Sequence, residues 1–427
     1  MTVALKAERG GHHLPVLLIV VIWLATFVIL LAKTVPVSGD GIYYFVQLES
    51  LVQDHDLDYA NNLEQFRTNP HVAKQLDSGV TTPTGRTPNL FSIGPALFWA
   101  PFYLVAQGRT IQLLAPSVAT SLYVLLGLFL VYATCRRCGL SRWPCAVALV
   151  AAYLGTNLWY YSTFEASMAH GLGFSLVSLL VYLTVRFKEN RTLLWHWLLL
   201  GLVAGLATCV RWQLLLVALV VPGLELARQI WRGKSLGPGL PKLLRPLLFC
   251  LGLLLGVLPQ LLVWHRLYGV WLLVPQGDGF IDLTSPHFGE VLISARHGLL
   301  TWTPLVVLGI VGLIVAVRAV DRRLRYLGLA CVLILVLQTY LNGTLLEWWG
   351  GEALGARRFT DILVVVAVGL AALFSQYWRG RWVRVVLIAV SAILVAANLT
   401  LTQLYRHDRI SRVDAVHLPD LVEALGQ

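Results

Sequence analysis

LPVLLIVVIWLATFVILLAKTVPVSGDGIYYFV, residues 14–46, joins a long apolar run to a polar segment that opens with Ser38-Gly39-Asp40-Gly41. The run from Leu14 to Ala32 contains no charged side chain, and about 20 apolar residues cross a bilayer as a helix. Two basic residues precede it, but no small-residue cleavage motif follows. We therefore interpret it as a first membrane helix and not as a cleavable signal peptide.

Composition extends this interpretation to the whole chain of 427 residues. Hydrophobic residues make up 57%, charged residues 13%, and the mean hydropathy is +0.71. A soluble domain is about a quarter charged, so the composition excludes an ordinary water-soluble protein. The formal net charge of +11 would suggest nucleic acid in a soluble protein, but basic residues also gather on the cytoplasmic side of membrane proteins.

Apolar runs predict an all-α polytopic protein with about eleven membrane helices. The predicted spans are 14–35, 116–135, 143–161, 165–185, 194–210, 212–227, 246–264, 299–317, 326–344, 359–378 and 384–404. The segment 91–107 is short and contains Pro95 and Pro101. If it spanned, the basic turns after it would face outward. We therefore expect it to be a juxtamembrane helix at the outer surface.

This topology places the N-terminus and the basic turns in the cytoplasm. The turns are those around Arg136, Arg186, Arg228–Arg245, Arg318–Arg325 and Arg379–Arg384. Most acidic residues then face outward, so the basic charge follows from topology and nucleic acid is not needed to explain it. We predict one membrane domain, 1–404, with outer loops 36–115, 265–298 and 345–358 and an outer tail, 405–427. The expected location is the inner (plasma) membrane, with the polar chemistry on the outer, periplasmic face.

Asp40 is the first candidate for chemistry, because two glycines flank it at the membrane surface. A carboxylate there can take a proton from an acceptor, and glycines let a substrate approach the backbone. The alternative is an N-cap for the helix that starts near Ile42. Tyr43 and Tyr44 follow directly and can contact a substrate.

A denser group of ligand-type side chains follows in the same loop, at Asp54, His55, Asp56 and Asp58. These could hold a divalent cation, but the glycine of a calcium loop is missing, so a solvated turn is the preferred interpretation. His170 is a further weak metal candidate. The cysteines Cys135 and Cys138 lack a second pair, so we expect neither a zinc site nor disulfides.

The remaining candidates lie in the other outer turns. Glu165 shares a turn with His170, and ionisable groups at a membrane edge are functional candidates. Arg211 beside Trp212 suits a lipid phosphate or simple snorkelling. The later loops carry paired basic and aromatic side chains, which suit a phosphate and a sugar face, with pairing to Glu347 or Glu352 as the alternative for the arginines. These residues are Arg296, His297, Trp348, Trp349, Arg357 and Arg358.

The order of these elements resembles the GT-C membrane glycosyltransferases, closest to their protein mannosyltransferase and aminoarabinose-transferase branch in bacteria. The likeness rests on Gly39–Tyr44, Ser92–Phe102 and the turn ending in Cys135-Arg136-Arg137, and covers about the first 230 residues. The WWGG and GARRF stretches, residues 348–351 and 355–359, look like those of a bacterial subgroup. Some relatives carry a second acidic residue beside the first, where this chain has Gly41.

The resemblance implies an inverting transferase that moves a sugar from a polyprenyl-phosphate donor to a lipid, glycan or protein acceptor on the outer face. Asp40 matches the family's loop-one catalytic base, and Glu165 is the nearest match to a second acidic residue. Outer arginines would stabilise the phosphate. No cofactor is required, although some relatives bind a divalent metal.

Three rival functions remain open from the sequence. A secondary transporter would carry charges at mid-membrane and often two related halves, whereas the spans here are almost wholly apolar and no inverted repeat is visible. A lipid-linked glycan flippase or polymerase is the second rival, and an inactive protein of the same fold is the third. The sequence identifies neither the sugar nor the acceptor.

Overall fold

The computed structural model describes residues 13–32, 36–109, 111–187, 193–231, 241–274 and 276–426. Within these ranges the regular secondary structure is helical. There is no β-strand in them, and an isolated β-bridge joins Ile281 and Leu345. Several predictions concern residues outside the described ranges. These are the N-terminal Lys6 and Arg9, the basic residues Lys188 and Arg191, and most of the turn between Arg228 and Arg245.

Nineteen α-helices are present in the described residues. They are α1 (Leu14–Leu31), α2 (Gly41–Glu49), α3 (Ala60–Glu64), α4 (Pro70–Asp77), α5 (Gly94–Ala106), α6 (Ala115–Arg137), α7 (Arg142–Leu154), α8 (Tyr160–Thr163), α9 (His170–Phe187), α10 (Trp195–Val210), α11 (Leu214–Trp231), α12 (Pro241–Tyr268), α13 (Phe288–Ile293), α14 (Leu299–Trp302), α15 (Leu305–Val317), α16 (Arg322–Gly343), α17 (Val364–Tyr377), α18 (Arg381–Arg406) and α19 (Leu418–Gly426). A π-helical turn, Ser50–Asp54, and two 3-10 turns, Gln112–Leu114 and Arg357–Ile362, complete the set.

The predicted multi-pass architecture is confirmed, and each predicted span overlaps at least one helix. In the part of the chain that the structure describes, six helical segments are long and apolar enough to cross a membrane, and they coincide with most or all of α1, α6, α9, α12, α16 and α18. Helices α7, α10, α15 and α17 are apolar but shorter, with 13 to 16 residues. The number of eleven spans and the sidedness stay predictions. The juxtamembrane segment 91–107 forms α5, a 13-residue helix.

Several predicted spans end earlier or later than expected, for local reasons. The span predicted over 143–161 stops at Leu154, where Gly155 is the C-cap and Asn398 donates to the Leu154 carbonyl at 2.9 Å. A side-chain donor thereby satisfies an orphan carbonyl at the helix end. The span predicted over 299–317 is broken at Pro304, because proline disfavours helix in the residue before it. Helix α9 starts at His170 instead of 165.

Small residues let the central helices approach closely. A Cβ at Gly312 of α15 would lie 1.8 Å from the backbone oxygen of Gly369 in α17, and one at Gly205 of α10 would lie 2.2 Å from the Leu253 oxygen in α12. Such contacts are typical of membrane helix pairs, in which dispersion contacts replace the hydrophobic effect.

Candidate functional site

Asp40 lies at the entrance of α2, as the sequence predicted, but its side chain does not cap the helix. It occupies the N-cap position without a side-chain cap hydrogen bond. Its Oδ2 instead accepts a hydrogen bond from Arg357 Nη1 at 2.7 Å. The Asp40 side chain is 31% exposed and that of Arg357 16%. The pair is therefore open on the Asp40 side, where a substrate can reach it.

The two glycines beside Asp40 have distinct structural roles. Gly39 has a φ of +54°, which disfavours residues with a Cβ. Gly41 packs against the turn between α8 and α9, and a Cβ there would lie 2.3 Å from Ser167 Oγ. The glycines thus set the position of Asp40 against that turn, and the predicted approach of a substrate to this backbone stays a prediction.

A cavity of about 260 Å³ lies on one side of the Asp40–Arg357 pair. Three arginines line it, Arg211, Arg357 and Arg358, against the two carboxylates of Asp40 and Glu347. Burial, and then the charges of Arg357 and Arg211, lower the pKa of Arg358 to about 9. The lining of this basic cavity thus carries three arginines against two carboxylates, and a bound anion would relieve the burial of Arg358 beside two other cations.

The basic cavity draws its walls from segments far apart in the chain. Besides the charged residues, it is lined by Tyr44, Leu90, Phe91, Ser92, Trp212, Gln213, Gln276, Phe280 and Leu345. Arg358 also donates to the Glu347 backbone oxygen. The alternative interpretation, pairing of the two arginines with the Glu347 or Glu352 carboxylates, differs from the structure, in which Arg357 pairs with Asp40 and Arg358 donates to a backbone oxygen.

Arg211 is held by a carboxylate that sequence reasoning missed. Its Nε lies 3.0 Å from Asp361 Oδ2, and Asp361 is fully buried in the 3-10 turn Arg357–Ile362. His170 Nδ1 lies 3.7 Å from the same oxygen. The signal was available, since Asp361 is a lone carboxylate inside an apolar run, and such residues are functional candidates. It escaped notice because the run was interpreted as part of a span.

A second cavity, of about 460 Å³, lies on the other side of Asp40. It shares Asp40, Glu347 and Arg357 with the basic cavity and adds Glu165, Glu352 and Arg412. The other lining residues are Ser38, Gly39, Tyr43, Asn69, His71, Tyr160, Tyr161, Met168, Gly351 and Tyr405. Four carboxylates against two arginines make this the acidic cavity.

The two tyrosines after Asp40 divide between the cavities. Tyr43 lines the acidic cavity and Tyr44 the basic one, and the ring centroid of each lies 5.1 Å from that of Phe91. Glu165 and His170 divide as well. Glu165 accepts a hydrogen bond from Ser38 Oγ at 2.8 Å in the acidic cavity, whereas His170 points to Asp361.

Four predicted phosphate- or sugar-binding residues lie outside the linings of both cavities. Arg296 Nε donates to the Val413 oxygen at 2.6 Å, and its guanidinium carbon lies 3.7 Å from the Trp349 ring centroid. His297 is buried, and its Nδ1 lies 3.0 Å from the Trp349 oxygen. Trp348 packs against Trp349, with centroids 5.8 Å apart. The structure places these four residues in a support for the loop, outside both cavity linings, and their direct contact with a phosphate or sugar stays a prediction.

The C-terminal tail completes this support and reaches the site. The Ala353 amide donates to the Arg412 oxygen, and the Val416 amide donates to the Ala295 oxygen. Tyr405 and Arg412 line the acidic cavity. Sequence analysis placed the tail outside and did not assign it a site role, because no motif connects it with the loops that it contacts.

The predicted metal candidates are engaged in local contacts. Asp54 Oδ2 accepts from Asn61 and Asn62, and Asp56 Oδ1 accepts from Ser50 Oγ. His55 Nδ1 lies 3.0 Å from the Leu51 oxygen, and Asp58 donates its amide to Asp56. Within the described ranges, no three His, Cys, Asp or Glu side chains are grouped to hold a metal ion. These contacts hold the turn that follows the π-helical segment Ser50–Asp54, and its interpretation as a turn without a metal stays a prediction.

Comparison with known proteins gives a structural likeness. No protein-family profile matches the chain, and no curated protein matches it by sequence. Among solved structures, the crystal structure of ArnT from Cupriavidus metallidurans bound to undecaprenyl phosphate matches with a TM-score of 0.53. The two chains are 15% identical, and the match covers 97% of this chain and 75% of that one. The chain therefore has an ArnT-like fold, and it is a multi-pass membrane protein by the length and apolarity of its helices.

Proposed function

We propose that this protein is a membrane glycosyltransferase of the GT-C type. It transfers a sugar from a polyprenyl-phosphate donor to an acceptor on the outer face of the membrane. The observation that carries the proposal is the position of Asp40, which lies 2.7 Å from Arg357 where the basic and acidic cavities meet. A general base beside an anion site is what this transfer requires.

The basic cavity binds the donor phosphate. Arg211, Arg357 and Arg358 present planar guanidinium groups, which hold phosphate oxygens through paired hydrogen bonds. Arg357 has several N–H donors, so it can contact both Asp40 and a phosphate oxygen. The likeness to a fold whose solved example holds undecaprenyl phosphate supports a polyprenyl phosphate as the lipid partner.

The reaction is a displacement at the anomeric carbon. The acceptor hydroxyl oxygen forms the new bond to that carbon while the bond from the carbon to the phosphate oxygen breaks. Asp40 takes the hydroxyl proton, and the leaving polyprenyl phosphate keeps the bonding electron pair. Attack from the face opposite the phosphate inverts the anomeric centre. The three arginines stabilise the charge that develops on the phosphate.

Glu165 has a supporting role in this scheme. It lines the acidic cavity and accepts a hydrogen bond from Ser38, two positions before Asp40 in the chain. This contact ties the α8–α9 turn to the loop that carries the base. Glu165 therefore orients the Asp40 loop from the wall of the acidic cavity that it lines.

A comparison of cell-envelope products tests the proposal. Lipids and surface glycans from cells with and without the gene are compared by mass spectrometry, with wild type or Asp40→Asn supplied in trans. We expect a glycosylated product that wild type restores and Asp40→Asn does not. Glu423→Gln, a carboxylate-to-amide change at an exposed position of α19, is the matched control and should restore the product. Full restoration by Asp40→Asn would refute the role of Asp40.

A further inference from the structure

The two cavities that meet at Asp40 have opposite charge balance although they share three charged residues. The basic cavity adds Arg211 and Arg358 to the shared Asp40, Glu347 and Arg357. The acidic cavity adds Glu165, Glu352 and Arg412 to the same three. A charged group is drawn to the cavity of opposite potential, because partly enclosed walls focus the field.

Both cations of the acidic cavity are already engaged by carboxylates of the protein. Arg357 Nη1 lies 2.7 Å from Asp40 Oδ2. Arg412 Nε lies 2.5 Å from Asp408 Oδ1, and its guanidinium carbon lies 5.1 Å from the Tyr405 ring centroid. A phosphate entering this cavity would face Glu165 and Glu352 while competing for arginines that have partners. The cavity therefore disfavours an anionic group.

The remaining walls suit a hydroxyl-rich ring. Carboxylate oxygens accept hydrogen bonds from sugar hydroxyls or from an amine. Tyrosine rings pack on the apolar faces of such a ring, and their hydroxyls form further hydrogen bonds. Tyr43, Tyr160, Tyr161 and Tyr405 all line this cavity. Its volume of about 460 Å³ lies within the usual range for a small-molecule site.

We propose that the acidic cavity is the acceptor subsite and takes a neutral or amine-bearing saccharide, with a phosphate-bearing acceptor group excluded. The assignment of this cavity to the acceptor rests on the proposed function, whereas the saccharide class follows from the residues that line the cavity. Tyr405 and Arg412 place the C-terminal segment in this subsite. The tail is therefore a specificity element as well as a support for the loop.

Cysteine reporters test the charge of each cavity directly. Five of the six native cysteines are buried and Cys250 is exposed, so Cys250→Ser gives the background. His71→Cys reports on the acidic cavity and Ser92→Cys on the basic one. Purified protein in nanodiscs is treated with a trimethylammonium or a sulfonate methanethiosulfonate reagent. We expect the cationic reagent to be favoured at His71→Cys and the anionic one at Ser92→Cys, each by about tenfold at low salt.

Protection of the same cysteines identifies the ligand class. The probes are the trisaccharides of N-acetylglucosamine and of glucosamine, glucose 1-phosphate, and undecaprenyl phosphate. We expect either trisaccharide to slow labelling at His71→Cys, whether or not undecaprenyl phosphate is present. We expect undecaprenyl phosphate to slow labelling at Ser92→Cys and not at His71→Cys. Equal labelling of His71→Cys by both reagents would overturn the inference. Protection of His71→Cys by glucose 1-phosphate and not by the trisaccharides would also overturn the inference. Competition between undecaprenyl phosphate and a trisaccharide would overturn it as well.

The two proposals fail separately in this experiment. If undecaprenyl phosphate leaves Ser92→Cys unprotected while a trisaccharide protects His71→Cys, the donor assignment fails and the saccharide subsite stands. If the lipid protects Ser92→Cys and no saccharide protects His71→Cys, the donor assignment stands and the acceptor subsite fails. The labelling rates need no catalytic turnover, so an inactive preparation gives the same answer.

Discussion

Arg357 Nη1 lies 2.7 Å from Asp40 Oδ2, and the two residues are 317 positions apart in the chain. The contact joins the loop that follows α1 to the loop that precedes α17, and it lies where the two cavities meet. Burial opposes and the Asp40 charge favours the cationic form of Arg357, whose pKa is raised on balance. The pair couples the candidate base to the candidate phosphate site.

Loss of Arg358 should weaken donor binding. Hydrogen bonds to charged groups contribute about 1.5–3 kcal/mol, so Arg358→Ala should raise the dissociation constant for undecaprenyl phosphate roughly ten- to a hundredfold. Native mass spectrometry of the detergent-solubilised protein with added lipid measures this constant. Arg409→Ala, an exposed arginine of the tail outside both cavity linings, is the control and should bind as wild type does. Equal affinity of the Arg358 variant would remove it from the donor site.

Asp361 should act by orienting Arg211. Asp361→Asn removes the charge that lies 3.0 Å from Arg211 Nε, and we expect the donor KM to rise about tenfold with a smaller change in kcat. Gly173→Ala tests the same contact from the other side, because its Cβ would lie 2.2 Å from Asp361 Oδ1. The measurement is initial transfer rate against donor concentration.

Gly223→Ala is the matched control for the helix substitution, because its Cβ would meet nothing within 4 Å. A merely structural role for Asp361 would lower the amount of folded protein without changing the donor KM of what remains. Folded Asp361→Asn and Gly173→Ala proteins with an unchanged donor KM would therefore contradict the positioning role.

Stability should depend on pH through His297. Burial lowers the pKa of His297 to about 4, from 6.5 in the unfolded chain. The unfolded state thus takes up a proton first as pH falls, so stability present above 6.5 is lost between 6.5 and 4, by roughly 3 kcal/mol. The measurement is the melting temperature as a function of pH in detergent.

His297→Asn is the informative variant, because φ at this position is +59° and asparagine tolerates that conformation. The variant should have a flatter melting temperature between pH 6.5 and 4 than wild type. An unchanged pH profile would show that His297 is not the titrating group. Since His297 lies beneath Trp349 and beside Arg296, acid should also expose the tail to limited proteolysis first.

The architecture was predictable because apolar runs and basic turns obey strong constraints. A charged residue in a bilayer is costly, so the runs mark the helices, and each predicted span contains one. Helix ends were less predictable. They depend on contacts made in three dimensions, such as that of Asn398 with the end of α7, which no local pattern announces.

The site residues were predictable where their residue type differs from those of the neighbouring sequence. Asp40 between glycines and the outer arginines Arg357 and Arg358 stood out, and the structure places all three around one cavity. Arg296 and His297 have the same local appearance, yet Arg296 contacts the tail and His297 contacts the Trp349 backbone. Sequence cannot distinguish the two cases, because the partner of each arginine comes from a distant segment.

Sugar transfer by purified protein in nanodiscs measures the proposed reaction and the role of Asp40 in it. A polyprenyl-phosphate sugar with a radiolabelled glycosyl group is supplied with envelope acceptor extracts, and released polyprenyl phosphate and labelled product are counted together. We expect equal amounts of released polyprenyl phosphate and labelled product with wild type and with Glu423→Gln. With Asp40→Asn we expect a rate lower by about a hundredfold or more, while the lipid still binds. Full transfer by Asp40→Asn, or lipid release without a labelled product, would contradict the proposal.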